Sequence, residues 1–239
     1  MAQTSISQPV TGSSATYSTR SYLRDGLLIV SAALMAVTLY MVFMWVPTEQ
    51  NLGVSQRIFY FHVPLGWIGM LSIVVVAVAS LMHLITGKEK WDSLAYATAE
   101  LGVIFATLIL VTGAIWARPV WGGWGTWDAK LTTTLVLWFI YVGYLMIRAH
   151  GPSGTQGKRY ASVIALIGAI DSPIIYKATD WWRTAHPERN VPSDLASEML
   201  LTLLVAMVTF TVLYVYLLVE RYSLRKSESD LDELHQRTA

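Results

Sequence analysis

Residues 63–85 have the sequence VPLGWIGMLSIVVVAVASLMHLI, a run of 23 residues that contains no Asp, Glu, Lys or Arg. An α-helix needs about 20 consecutive, predominantly apolar residues to cross the hydrocarbon core of a bilayer. This run has that length, and no cluster of polar turn residues divides it. It therefore predicts a helix that spans a membrane.

Five further apolar stretches of similar length accompany this run. They lie at 26–45, 94–116, 131–147, 160–176 and 199–219. The stretch at 160–176 is the least regular, because Asp171 and Pro173 interrupt it. The pattern predicts an all-α polytopic membrane protein, in which residues 1–239 form a single domain with a bundle of six transmembrane helices.

The distribution of Lys and Arg predicts the orientation, because cytoplasmic segments carry the excess of positive charge. With the N-terminus inside, eleven of the 17 Lys and Arg fall on the inner side and six on the outer side. We therefore expect both termini in the cytoplasm, with a disordered tail over 1–20 and a C-terminal tail over 221–239. The outer loops are then 46–62, 117–130 and 177–198.

The composition excludes several classes of function. Charged residues make up 14% of the chain, hydrophobic residues 54%, and the mean hydropathy is +0.47, whereas soluble domains are about 25% charged. A net charge of +1 gives no basic field for nucleic acid. The lack of Cys removes disulfides and thiolate metal sites. No phosphate-binding loop of the Walker type is present, so any ATP hydrolysis would come from a partner.

Tryptophan is concentrated on the predicted outer side. Eight of the ten Trp residues lie in or beside outer segments, and Trp91 lies at the inner boundary. Interfacial anchors would occupy both surfaces, so anchoring explains only part of this cluster. Trp121, Trp124 and Trp127 recur every third residue among glycines, which let a flat ligand approach the backbone. The loop therefore predicts a surface for a porphyrin-sized aromatic plane or for a protein partner.

Topology separates the five histidines. His83, His150 and His235 fall on the predicted inner side, where we expect packed or solvated side chains. His62 begins the second span from outside, and His186 lies between the fifth and sixth spans on the same side. Two neutral imidazoles could fill both axial positions of a haem iron. The alternative is that both are ordinary surface histidines.

Charged residues near the outer face also have two interpretations. Asp128 precedes the fourth span, where its carboxylate could cap the helix N-terminus or contact a ligand. Four basic residues share this face and could pair with haem propionates or remain solvated. They are Arg118, Lys130, Arg183 and Arg189. Asp171 and Glu100 fall within spans, where a charge is costly and is expected to face the bundle interior.

Several segments occur in a characteristic order. They are RIFYFHVP at 57–64, LVTG at 110–113, the tryptophan-rich WGGWGTWD at 121–128, AKLT at 129–132 and WWRTAHP at 181–187. Together they resemble the haem-handling proteins of cytochrome c biogenesis, the haem exporter protein C (CcmC) family. The chain departs from the family pattern at Gly125, where another aromatic residue is usual, and at Lys130, where Arg is usual.

The resemblance implies a haem-delivery protein rather than an enzyme. It implies that haem b is bound transiently at the periplasmic face of a bacterial inner membrane and passed to the haem chaperone CcmE. The ABC transporter subunits CcmA and CcmB and the small membrane subunit CcmD are the other implied partners. The implied haem-binding residues are His62, His186, Trp121, Trp124, Trp127 and Asp128. The two histidines would be the iron ligands.

Two other functions fit some of the same residues. A haem-containing membrane electron carrier or quinol oxidoreductase also uses two axial histidines, although its ligands usually lie inside the spans. A small-solute transporter would use Asp171, Glu100 and the interrupted fifth span. Many transporters are built from repeated halves, and this chain has no evident internal repeat.

Overall fold

The structure, a computed structural model, describes residues 14–125, 127–152, 154–182, 186 and 195–238. The helices are α1 (Ser14–Tyr40), α2 (Phe59–Thr86), α3 (Glu89–Trp121), α4 (Ala129–His150), α5 (Thr155–Trp181) and α6 (Ser197–Thr238). Each is long and apolar enough to cross a membrane. Within the described residues no strand is present. The predicted all-α fold with six spans is therefore confirmed.

The helices extend beyond the apolar stretches that predicted them. α3 has 33 residues, or about 50 Å of helix, which exceeds the thickness of a hydrocarbon core of about 30 Å. α1 begins at Ser14, inside the predicted tail at 1–20, and continues into a π-helical turn at Met41–Trp45. Residues 1–13 lie outside the described part of the chain. The predicted tail at 221–239 continues α6 as helix through Thr238.

α5 passes through Asp171 and Pro173 without a break. Pro173 has no N–H to donate to the carbonyl of Ala169, four residues earlier. The Ser172 hydroxyl donates to that carbonyl at 3.0 Å, so the acceptor keeps a partner and the helix continues. Asp171 Oδ2 is buried with no hydrogen-bond partner among the described residues.

Large apolar side chains cover the outside of the bundle, and small side chains fill much of its inside. Exposed examples from five helices are Leu28, Val74, Phe139, Ile170 and Leu204. Buried alanines include Ala79, Ala97, Ala161, Ala165 and Ala206. Lipid tails solvate large apolar side chains as well as a protein core does, so small residues at helix interfaces allow close packing. The distribution is that of a membrane bundle.

α2 and α3 pack along their length at the centre of the bundle, with α4 and α5 on one flank and α1 and α6 on the other. Gly102 permits the close approach of α3 to α2, because a Cβ there would lie 3.3 Å from the Cβ of Ser72. On the other flank, the Thr38 and Thr209 hydroxyls hydrogen-bond at 2.7 Å between α1 and α6. Consecutive helices run in opposite directions through the bundle. The starts of α2, α4 and α6 and the ends of α3 and α5 therefore lie at one end of the bundle.

The opposite end is held by ion pairs between helices. Arg148 of α4 and Asp92 of α3 form a bidentate pair at 2.7 and 2.8 Å, and each side chain is only 4% exposed. Other pairs between helices among the described residues are Arg24–Glu220, Lys158–Glu89 and Arg221–Glu100. Glu100 therefore faces the bundle interior, as its position within a span predicted.

Candidate functional site

His62 and His186 lie at the same end of the bundle. His62 is in the first turn of α2, and His186 is in the connection between α5 and α6. Each ring packs against a tryptophan of α3: the ring centroids of His62 and Trp116 are 6.0 Å apart, and those of His186 and Trp121 are 5.9 Å apart. Trp116 and Trp121 are separated by five residues, a rise of about 7.5 Å. His186 is also close enough to interact electrostatically with His62.

The hydrogen bond of His62 determines its tautomer. Its Nδ1 lies 2.9 Å from the hydroxyl oxygen of Thr112 on α3. The only hydroxyl proton of Thr112 is donated to the backbone carbonyl of Leu108 at 2.7 Å. The Thr112 oxygen must therefore accept a proton from Nδ1. Neutral His62 then carries its free lone pair on Nε2. A neutral imidazole binds a metal through such an unprotonated ring nitrogen.

Close packing between α2 and α3 fixes the position of the same ring. A Cβ built on Gly113 would lie 3.2 Å from Cε1 of His62, which is tighter than nine in ten real Cβ contacts. A side chain at Gly113 would displace the imidazole of His62 by a few tenths of an ångström. The pair Thr112-Gly113 therefore orients His62 by one hydrogen bond and one close contact.

His186 is oriented by Asp128. Nδ1 of His186 lies 2.8 Å from Oδ2 of Asp128, and an ionised carboxylate can only accept a hydrogen bond. The other oxygen, Oδ1, accepts from the backbone N–H of Leu131 at 2.9 Å and caps α4. Asp128 is thus a helix cap, as one interpretation of the sequence predicted, and it also holds His186. Direct contact of Asp128 with a ligand stays a prediction. A carboxylate on Nδ1 directs the lone pair of a neutral imidazole to Nε2.

The three tryptophans of the loop have different environments. Trp121 ends α3 and packs against His186. Trp124 is 64% exposed and lies under the guanidinium of Arg118, whose Cζ is 4.6 Å from its ring centroid. Trp127 is 76% exposed. The structure thus brings the ring of Trp121 against that of His186, a candidate iron ligand. Haem contact by Trp124 and Trp127 stays a prediction.

The four basic residues that could pair with haem propionates do not share one environment. Lys130, in the first turn of α4, acts electrostatically on His62. Arg118 stacks on Trp124. Arg183 and Arg189 lie outside the described residues.

The described residues contain no group of three or more His, Cys, Asp and Glu side chains that could hold a metal ion. A metal bound between His62 and His186 would therefore need donors beyond those that the described residues supply. A porphyrin brings four nitrogen donors with the iron and leaves two axial positions open. The donor set of this end of the bundle fits haem better than it fits a bare metal ion.

Comparison with known proteins shows the family of this chain. The sequence model of the Heme exporter protein C (CcmC) family matches residues 8–236. The chain belongs to the Heme exporter protein C family. The resemblance that the ordered segments indicated is thereby confirmed.

Relatives of this CcmC-family chain come from bacteria and from a plant. Heme exporter protein C of Bradyrhizobium diazoefficiens is 35% identical over 195 residues, 80% of this chain and 74% of the relative. The Haemophilus influenzae protein of the same name is 31% identical over 188 residues, 77% of this chain and 76% of the relative. A ccmC-like mitochondrial protein named for cytochrome c biosynthesis, from Marchantia polymorpha, is 33% identical over 158 residues, 66% of this chain and 67% of the relative.

Sequence reasoning on this CcmC-family chain missed three residues around His62. Thr112, Gly113 and Trp116 contact its ring, yet none was among the predicted site residues. Thr112 and Gly113 stand in the LVTG segment that helped to indicate the family, so a signal existed. Their distance of some 50 positions from His62 in the sequence hid the contact.

Proposed function

We propose that this protein binds haem b transiently between His62 and His186 and delivers it to the haem chaperone CcmE for cytochrome c maturation. It acts as a haem-delivery subunit rather than as an enzyme. Trp121, Trp124, Trp127 and Asp128 complete the haem site. The family name, Heme exporter protein C, supports haem handling as the general function.

The observation that carries the proposal is the hydrogen bonding of the two imidazoles. Thr112 accepts a hydrogen bond from Nδ1–H of His62, and Asp128 accepts one from Nδ1–H of His186. Nε2 is therefore the metal-binding nitrogen of both rings. Metal-binding histidines almost always donate their second ring N–H in this way, which fixes the tautomer and raises the basicity of the ligand. Two unrelated surface histidines would not need the same arrangement.

The position of the histidines supports delivery rather than electron transfer. An electron carrier usually buries its haem between helices, with both ligands inside the spans. Here His62 is in the first turn of α2 and His186 follows α5. The side chain of His186 is 25% exposed. A haem held there is accessible from outside the bundle, as transfer to a second protein requires.

The proposed orientation puts the histidine end in the periplasm and both termini in the cytoplasm of a bacterial inner membrane. The excess of Lys and Arg at the opposite end supports it. CcmA and CcmB supply ATP hydrolysis in this proposal, and CcmD is a further membrane partner. These assignments follow from the family and from the lack of a nucleotide-binding loop in the chain.

Absorption spectra of the purified protein with haem test the ligands. We expect a six-coordinate, low-spin spectrum for the parent and loss of it in both His62→Ala and His186→Ala. Added imidazole restores it, because it replaces the missing side chain. His150→Ala is the matched control, since His150 is exposed at the opposite end. A six-coordinate spectrum that survives in either of the two variants refutes axial ligation by that residue.

Delivery and orientation need separate measurements. Mixing the haem-loaded protein with apo-CcmE should transfer haem to the chaperone, whereas haem that never leaves would favour an electron carrier. The natural absence of Cys makes single-cysteine labelling simple. In intact spheroplasts, an impermeant maleimide should label Gln50→Cys, at the histidine end, and should not label His150→Cys. The reverse pattern overturns the orientation.

A further inference from the structure

α6 is longer than a membrane span requires. Its 42 residues, Ser197–Thr238, form about 63 Å of helix, whereas a hydrocarbon core is about 30 Å thick. Arg221 of α6 pairs with Glu100 of α3 at the end of the bundle away from the two histidines, and charges of this kind gather where a span leaves the hydrocarbon. Residues 222–238, which we call the α6 extension, therefore continue about 26 Å beyond this pair.

The base of the α6 extension is fixed to α3. The guanidinium carbon of Arg225 lies 4.4 Å from the ring centroid of Tyr96, and that of Arg221 lies 5.8 Å from the same ring. Glu228 accepts hydrogen bonds from Arg225 at 3.0 Å and from Arg221 at 3.2 Å. These cation–π contacts and ion pairs stabilise the first two turns as a continuation of the span. The extension therefore runs away from the membrane and does not lie along its surface.

Two leucines of the α6 extension are exposed on one face of the helix. Leu224 is 55% exposed and Leu231 is 56% exposed. Seven residues make almost two helical turns, so the two side chains share a face. Leu231 lies about 15 Å beyond Arg221, whereas the headgroup layer adds only about 5–8 Å to each side of the hydrocarbon core. Apolar side chains at this spacing are the anchors of a helix that binds in a groove of another protein.

The charge of the α6 extension selects what covers this face. Residues 227–238 contain four acidic residues and one basic residue. An anionic membrane surface would repel such a segment, because helices that lie on membranes carry Lys and Arg on their polar face. A second copy of the chain would bring the same acidic residues together, which is unfavourable at an interface. A partner with Lys and Arg around an apolar groove fits both the leucines and the charge.

We propose that the α6 extension is a docking helix for a separate protein. Leu224 and Leu231 enter an apolar groove of that protein, and Lys and Arg at the rim of the groove pair with the acidic residues of 227–238. The partner is a protein at the membrane face opposite the two histidines, which the proposed orientation puts in the cytoplasm. The docking surface and the haem site lie at opposite ends of the bundle. Docking and haem binding are therefore measured independently.

Photo-crosslinking in intact cells tests the docking face. The full chain carries p-benzoylphenylalanine in place of Leu224, Leu231 or Lys226 in turn. Lys226 is the matched control, because it is also exposed and lies two residues from Leu224, about 200° around the helix. We expect both leucine positions to give an adduct with the same second protein, and the Lys226 position to give none.

The affinity of the crosslinked protein for the chain separates docking from incidental proximity. The captured protein is purified and titrated against the full chain in detergent micelles. Leu224→Gln/Leu231→Gln should weaken binding at least about tenfold, because a few anchor residues dominate an interface. Lys226→Gln should bind at least as tightly as the parent. A rise in ionic strength from about 0.05 M to about 0.5 M should also weaken binding about tenfold, because salt screens the charges at the rim.

The double leucine variant should fold like the parent, because both side chains are exposed. Its elution volume and its haem titration should match those of the parent. Four results overturn the proposal: no adduct, an adduct of equal yield from the Lys226 position, an adduct with lipid or with a second copy of the chain, and binding that the leucine variant or high salt leaves unchanged. If neither parent nor variant binds haem, the proposed function fails and the docking helix is unaffected.

Discussion

The two ends of the bundle are stabilised in opposite ways. At the end away from His62, charged side chains pair across helices, and the Arg148–Asp92 pair is almost fully buried. At the histidine end, single hydrogen bonds and ring contacts hold His62 and His186, and aromatic side chains such as Trp127 are exposed. The comparison suggests a division of roles: one end fixes the relative positions of the helices, and the other presents groups to a ligand.

Replacement of Arg148 should have the largest effect on stability. Arg148→Met leaves the buried carboxylate of Asp92 without its partner, which costs about 3–5 kcal/mol of unfolding free energy. Unfolding in mixed detergent and sodium dodecyl sulfate micelles measures it. Haem binding per folded molecule should stay unchanged, because the pair is at the other end of the bundle.

The double variant Asp92→Leu/Arg148→Met is the control for this effect. It removes both charges together, so much of the lost stability should return. A single variant as stable as the parent would show that the pair does not hold α3 and α4 together. The proposed division of roles between the two ends of the bundle would then be contradicted at the end that contains Arg148.

At the histidine end, Asp128→Asn should separate ligand orientation from helix capping. Asn caps a helix about as well as Asp, so the unfolding free energy should stay close to that of the parent. The charged partner of His186 is lost, and loss of such a partner typically lowers metal affinity 10- to 100-fold. Titration of haem followed by absorbance measures the affinity.

Asp128→Ala completes the comparison. It removes the cap as well and should cost about 1 kcal/mol of unfolding free energy in addition. If Asp128→Asn binds haem like the parent, Asp128 is only a helix cap, and the carboxylate has no role in binding.

Thr112→Val should have a smaller effect on haem. The substitution keeps the shape of the side chain and removes the hydroxyl that accepts from Nδ1 of His62. We expect about a tenfold loss of haem affinity, the lower limit for partners of metal ligands, because Thr112 is a neutral acceptor. Thr112→Ser keeps the hydroxyl and should retain parental affinity. Equal affinity in the Val and Ser variants would remove Thr112 from the site.

Glu89→Gln should have the smallest effect. Glu89 pairs with Lys158 at the same end as Arg148, but its side chain is 47% exposed. Exposed ion pairs are worth only about 0.2–1 kcal/mol, and this one should weaken further in high salt. The same unfolding assay applies. If Glu89→Gln lowers the unfolding free energy as much as Arg148→Met does, burial does not explain why the Arg148–Asp92 pair stabilises this end of the bundle.

The site shows how far sequence patterns reach. The order of spans placed His62, His186 and Asp128 on one side of the membrane before any contact was known. The pattern of every third Trp predicted an aromatic surface, which stays a prediction; the structure adds that Trp121 packs on His186 while Trp127 is largely exposed. Backbone direction in a loop is not encoded by residue spacing, so the pattern could not separate them.

The sequence by itself determined the six spans, because a hydrophobic run of about 20 residues is a local property that a bilayer selects. It also determined the family and the candidate histidines. Only the tertiary structure decided that Thr112 and Asp128 orient the two imidazoles and that Arg148 and Asp92 form a buried pair. These contacts depend on the rotation and depth of each helix against its neighbours. Hydropathy does not fix either quantity, because side-chain packing between helices sets them.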